Sequence, residues 1–184
     1  MRGKIAVVAL VCALAQMAVA EVADSGANGF TVKITTQIHA APDDVYSRLV
    51  HNVGDWWSSA HTFSGDAHNL SIDDRPMGCF CEKLPGGGVR HMEVVFVSPG
   101  KRLRMSGGLG PLQGIATAGS MTFSFTPAEG GTKLELTYSV FGYAAQGMNT
   151  WAAPVNAVWT ELMTRLKNYI ETGDPAGKAE APKK

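Results

Sequence analysis

Cysteine is scarce in this 184-residue chain: Cys12, Cys79 and Cys81 are all there is. That is too few for a disulfide framework, and C-x-C without a second pair falls short of the four ligands of a structural zinc site. No metal and no cofactor are expected, and the fold must hold by apolar burial. Charge of one sign is also lacking. Sixteen Lys and Arg face sixteen Asp and Glu, and the bases are scattered, with no run to track a phosphate backbone, so nucleic acid is not an expected partner. Internal repeats, a nucleophile elbow and a phosphate-cradling glycine motif are missing as well. No apolar run approaches the roughly 20 residues of a membrane span.

What is present begins with a leader. Arg2 and Lys4 precede an apolar stretch, Ile5–Ala15, and the small residues of Ala18-Val19-Ala20 follow it. This is the pattern of a secretory signal, with cleavage expected before Glu21 and an exported product, periplasmic or secreted. Residues 1–20 are thus assigned to a signal peptide, 21–29 to a flexible leader, 30–172 to one domain and 173–184 to a disordered tail. Removal of the leader leaves about 164 residues with a net charge near −2, enough for one sizeable core in an expected monomer.

Within the domain, "FTVKITTQI" alternates, with Val32, Ile34, Thr36 and Ile38 on one face of a strand. "APDDVYSRLVHNV" reads as a helix: Pro42 suits its first turn, Asp43 and Asp44 its positive end, and Val45 and Leu49 stack at i, i+4. From Leu70 to Val140, strands are separated by "DDRPMG", "LPGGG", "SPGK", "GGLGPLQG" and "PAEGG". One-sided alternation there predicts an antiparallel sheet with one wet face. A last helix over Ala153–Glu171 carries Val155, Val158, Trp159, Leu162, Leu166, Tyr169 and Ile170 at three- and four-residue spacing. Its apolar stripe can be buried only on the inner face of that sheet.

The order of elements, with "DDVYSRLVHNVGDWW", "PMGCF", "VVFVSPGKRL", "GTKLELTYSVFG" and "VWTELMTRLKNYI", resembles the helix-grip, or START-like, fold of the SRPBCC superfamily over roughly residues 30 to 171. The closer likeness is to its branch of heat-shock-ATPase activators and polyketide cyclases. The resemblance implies an α+β fold: a curved antiparallel sheet of about six to seven strands wrapped on a long C-terminal helix. A signal peptide separates the chain from the cytosolic chaperone activators.

A sheet that grips one helix tends to leave a gap, and an apolar gap is the default small-molecule site. The expected wall is Trp56, Trp57, His61, Phe63, Met105, Phe123, Phe125, Tyr138, Val155 and Trp159, with Leu109, Leu112 and Ile115 on a glycine-flexed lid. Tyr138 or His61 would orient an apolar or aromatic ligand. The leading expectation is an exported binding protein. An enzyme of cyclase, dehydratase or hydrolase type in the same pocket is the alternative, and a protein-interaction domain the third.

Strand register decides the role of "GCFCEKLPGGGVRHMEVVFV". A four-residue turn at "PGGG" sets Leu84 opposite Val89, Cys81 opposite Met92, Cys79 opposite Val94 and Met77 opposite Phe96, all facing the core. Glu82, His91 and Glu93, the candidate acid–base residues, then face water. A one-residue slip would gather Cys79, Cys81 and His91 into something like a metal-ligand set, but would bury Glu93 and expose Met92 and Phe96. The apolar pattern favours the first register. The cysteines are then inward-facing free thiols, because strand neighbours at i, i+2 lie about 6.6 Å apart, near the limit for a disulfide.

Overall fold

The structure, a computed structural model, describes residues 19–177. Its order is β1 (Val19–Gly26), β2 (Gly29–Ile38), α1 (Pro42–His51), the short α2 (Val53–Trp56), β3 (Leu70–Ile72), β4 (Cys79–Leu84), β5 (Gly87–Ser98), β6 (Arg102–Ser106), β7 (Ala116–Ala128), β8 (Gly131–Tyr143) and α3 (Ala152–Thr172). The eight strands form one antiparallel sheet in the order β1-β2-β8-β7-β6-β5-β4-β3. α3 lies against its inner face, chiefly over β2, giving the α+β helix-grip architecture.

The alternating patterns do what their period requires. Phe30, Val32, Ile34, Thr36 and Ile38 of β2 are buried, as are Leu134, Leu136, Tyr138 and Val140 of β8 and Met121, Phe123 and Phe125 of β7. Trp159, Leu162, Met163 and Leu166 of α3 pack onto them. At 21 residues α3 runs about 32 Å. Val45, Tyr46, Leu49 and Val50 of α1 close one end of the core.

Two chain ends depart from the expected boundaries. The segment expected as a flexible leader is strand β1, which pairs with β2 from Val19↔Thr35 to Gly26↔Gly29 and so crosses the expected cleavage point before Glu21. Its pattern was silent because nearly all its side chains are exposed: β1 belongs to the sheet through backbone hydrogen bonds, which side-chain type does not record. It also raises the strand count from the expected six or seven to eight. At the other end Gly173, in the left-handed conformation, caps α3, and Asn168 Nδ2 donates to Pro175 O at 3.3 Å, so residues 173–177 turn back on the helix. Residues 1–18 of the expected signal peptide (1–20) and residues 178–184 of the expected tail (173–184) lie outside the described residues.

The β4–β5 hairpin takes neither expected register. Its turn is Pro85-Gly86, with Gly86 at φ 73°, so Leu84 pairs with Gly87, Glu82 with Val89 and Cys81 with Arg90. A two-residue Pro-Gly turn needs only the second position left-handed, and glycine supplies that without a Cβ clash. The register then shifts: Phe80 pairs with Met92 and Cys79 with Glu93, leaving His91 as the extra residue of a β-bulge. A second shift at Val95 turns Val95 and Phe96 outward.

The observed register reverses the expected faces of β4, while Met92 and Val94 of β5 are buried as expected. Phe80 and Glu82 point into the molecule, and Met77 is exposed. Cys79 and Cys81 are half-buried on the other face and are joined by a disulfide, with Cα atoms 5.4 Å apart. The expectation of inward free thiols therefore fails. The spacing of an ideal strand was the wrong ruler for a strand paired across a bulge, where the local backbone is shortened and kinked.

Candidate functional site

A cavity of about 280 Å³ opens between α3, the sheet and the loops over their mouth. Its volume lies near the lower end for small-molecule sites, roughly 300–1,000 Å³. α3 supplies Pro154, Val155, Val158 and Trp159, a repeat at i and i+4 that puts all four on one face. Trp151 precedes them. The segment after α2 supplies Trp57, Ala60, His61, Thr62 and Phe63, and the sheet floor supplies His91 and Tyr138. The single turn Gly110–Gly114 and the residue before it bring Leu109, Gly110, Pro111 and Leu112 across the top. A second depression of about 350 Å³, between α2 and β3, is larger but is lined by His51, Asn52, Asp55 and His68 and has no aromatic wall.

The aromatic wall is a packed cluster. Trp57 meets Trp159 edge-on at 5.6 Å and Phe80 edge-on at 5.3 Å, Trp159 meets Phe123 edge-on at 5.8 Å, and Trp56 lies tilted against Trp57 at 5.3 Å. Edge-to-face contacts of this kind stabilise by about 0.5–1.5 kcal/mol each beyond area burial. Trp57 Nε1 donates to His61 O and Trp56 Nε1 to Leu49 O, so neither indole presents a free donor. Arg165 of α3 donates to the carbonyls of Trp56 and Trp57, tying the loop to the helix.

Of the expected wall, Trp57, His61, Phe63, Tyr138, Val155 and Trp159 line the cavity. Trp56, Met105, Phe123 and Phe125 sit in the solid core behind it. Leu109 and Leu112 cover the cavity and Ile115 does not; Leu112 is buried, so the lid is packed down. Trp151, Pro154 and Val158 were not expected as lining. Val158 and Pro154 could have been found by extending the Val155–Trp159 face by one residue and one turn.

The two expected orienting groups are occupied. Tyr138 Oη donates to Gly107 O at 3.1 Å and accepts from Leu109 N at 3.0 Å, and burial pushes its pKa up to about 12. It anchors the lid. Its ring lies over Gly119, where a Cβ would come 2.8 Å from Tyr138 Cε2. His61 Nε2 is 3.0 Å from Glu161 Oε2, a contact that draws the Glu161 carboxyl below its usual range.

A further polar side chain on the cavity wall is His91, with Glu82 behind it; the favoured register places both in water. Glu82 and His91 are both buried, with Glu82 Oε2 3.0 Å from His91 Nε2. The carboxylate also accepts Phe63 N at 3.1 Å and Ser64 N. Burial would raise the Glu82 pKa, but the hydrogen bonds from Ser64, Phe63 and His91 outweigh it and the net direction is down. Burial lowers the His91 pKa, and the neighbouring Glu82 only partly offsets that, so the ring is neutral near pH 7. Phe63 lies parallel to the His91 ring at 5.9 Å and Phe80 flanks it at 5.3 Å. A neutral imidazole with one nitrogen held by a buried carboxylate can accept a hydrogen bond or a proton on the other, and the carboxylate would stabilise the imidazolium.

Glu93, the third expected acid–base residue, is on the outer face, paired with Arg90 at 2.9 Å. Cys79 and Cys81 are bonded to each other on that same face while His91 points inward, so the three do not converge on a metal. Among the described residues no group of three or more His, Cys, Asp and Glu is placed to hold one, and no helix is long and apolar enough to cross a membrane.

Several solved structures share this fold. A conserved protein of unknown function from Enterococcus faecalis superposes with a TM-score of 0.58 at 16% identity, over 82% of this chain and 77% of that one. An uncharacterized protein from Rhizobium leguminosarum gives 0.56 at 21%, over 84% and 98%. CalU16 from Micromonospora echinospora gives 0.51 at 18%, over 83% and 87%. At these identities the likeness is one of fold alone. No curated protein matches the chain. Residues 29–171 match the family described as polyketide cyclase / dehydrase and lipid transport, a span that runs from the start of β2 to the last turn of α3 and takes in every wall of the cavity. By that match the chain belongs to the polyketide cyclase / dehydrase and lipid transport family.

Proposed function

We propose that the protein is an exported binding protein that holds an apolar or aromatic small molecule in the cavity between the sheet and α3. The observation that carries this reading is the cavity itself: an apolar, aromatic-walled space that α3 and the sheet leave unfilled, roofed by Leu109 and Leu112. Apolar contact is the driving force, roughly 25 cal/mol per Å² removed from water. Export is supported by the basic-apolar-small pattern of residues 1–20 and by the Cys79–Cys81 disulfide, a bond that persists in oxidising compartments. The test is binding of a neutral fluorescent probe such as N-phenyl-1-naphthylamine to the full chain. Saturable binding that weakens in Val158→Trp, which fills the cavity, is expected; binding that Val158→Trp leaves untouched would refute the site.

A second reading, an enzyme in the same pocket, is favoured by one observation, the buried Glu82–His91 pair at its wall. An enzyme requires that His91→Phe abolish turnover of a bound compound while probe binding persists.

A further inference from the structure

Glu82 receives two backbone N–H groups and is held as a carboxylate, so the proton in its contact with His91 lies on Nε2. That fixes the neutral ring in one tautomer, with the lone pair on Nδ1. Nδ1 is met by Gln113 Nε2 at 3.3 Å, and the same amide nitrogen stands 3.3 Å from Arg90 O. Two long bonds from an exposed lid side chain make a weak cover, one that a better donor would displace.

The charges around the cavity are of one kind. None of its lining residues is Lys or Arg; the titratable ones are His61, His91 and Tyr138, and burial keeps the Tyr138 phenol protonated. Glu82 stands directly behind His91, and Glu161 of α3 behind His61. Arg165, also on α3, is engaged with the carbonyls of Trp56 and Trp57, and Arg90 with Glu93 on the outer face. An entering carboxylate would meet a lone pair on Nδ1 with a second carboxylate behind it, in an apolar wall where an unpaired charge is costly.

We infer that the cavity selects an uncharged, ring-sized ligand that donates a hydrogen bond to His91 Nδ1 in place of Gln113, and that it discriminates against carboxylates of the fatty-acid kind. The inference rests on the cavity being a ligand site. Phe63, parallel to His91, Trp57 and Trp159 supply flat walls for such a ring, while Glu82 sets the polarity of the His91 acceptor that Gln113 only weakly covers.

Three compounds on one skeleton test it at pH 7: 2-naphthol, an uncharged donor; 2-methoxynaphthalene, the same shape without the donor; and 2-naphthoate, an anion. Binding to the full chain is measured by tryptophan emission and by titration calorimetry. The expected order is 2-naphthol tightest, by roughly three- to tenfold over 2-methoxynaphthalene for one hydrogen bond, with 2-naphthoate weakest. His91→Phe should bring 2-naphthol down to the affinity of 2-methoxynaphthalene. Should that variant fail to fold, the imidazole nitrogen resonances of the unsubstituted chain decide: the Nδ1 signal should move with 2-naphthol and stay put with 2-methoxynaphthalene. Equal affinity for the two neutral compounds, or tightest binding of 2-naphthoate, overturns the inference and leaves the pocket standing. Binding of none of the three overturns both.

Discussion

The two halves of the sheet obey different rules. In the β2-β8-β7 half the pairing is unbroken, ten consecutive pairs between β2 and β8 and thirteen between β7 and β8. Its inner face is almost wholly apolar and buried, chiefly beneath α1 and α3, with Tyr138 of β8 at the cavity floor. In the β4-β5-β6 half both ladders shift, and the inner face carries the buried, hydrogen-bonded Glu82–His91 couple beside an unfilled cavity. Unbroken alternation builds a core; the bulges re-aim single side chains, and here they aim His91 into the space that the core does not fill. The half that follows the simplest pattern holds the fold together, and the half that breaks it holds the chemistry.

The largest contrast should come from truncating one side chain in each half. Leu136→Ala, in the fully buried face of β8, should cost about 2–5 kcal/mol of stability in chemical denaturation. Val158→Ala, at the cavity wall, should cost about 1 kcal/mol or less, because part of its surroundings is already empty. Equal losses would mean the cavity is as tightly filled as the core. Next in size is Glu82→Ala, which strips His91 and two backbone N–H groups of a shared acceptor, at about 2–4 kcal/mol. A loss under about 0.5 kcal/mol, the surface norm, would show that the pair is not buried as described.

A smaller effect separates the disulfide. Cys79→Ser with Cys81→Ser should cost about 1–2 kcal/mol, since so short a closed loop restricts the unfolded chain little. Because the bridge flanks Phe80 opposite the bulge, the same variant should also weaken probe binding, which a remote disulfide would not. The smallest effect concerns pH. His91 has a folded pKa below its ordinary 6.5, so the unfolded chain takes up its proton first, and stability is lost as pH falls below that value. Glu82 has a folded pKa below 4.5, so its contribution is present above 4.5 and fades as pH falls further, through its folded value. Thermal melts between pH 7.5 and 5 should therefore decline less steeply in His91→Phe than in the unsubstituted chain. A parallel decline would place the titrating groups elsewhere.

Much of this was legible in the residues. The alternation of Val32 to Ile38 and of Leu134 to Val140, and the stripe from Val155 to Ile170, specify a half-wet sheet and the helix that covers it, because burial of one face leaves a period that nothing else produces. β1 was not legible, since its exposed side chains leave no period. The site was half legible. Large apolar residues announce themselves as interior, but whether Phe123 fills the core or Trp159 walls a cavity depends on how far the layers stand apart.

The sequence by itself determined the fold class, the terminal helix and the aromatic interior, since each follows from which side chains avoid water. The tertiary structure alone decided which face of β4 turns inward, the bond between Cys79 and Cys81, and the meeting of Glu82 with His91. A β-bulge is one residue long and leaves no periodic trace, yet it shifts every side chain beyond it, and the reward for burying Glu82 lies in the backbone of Phe63 and Ser64, nineteen and eighteen residues away along the chain.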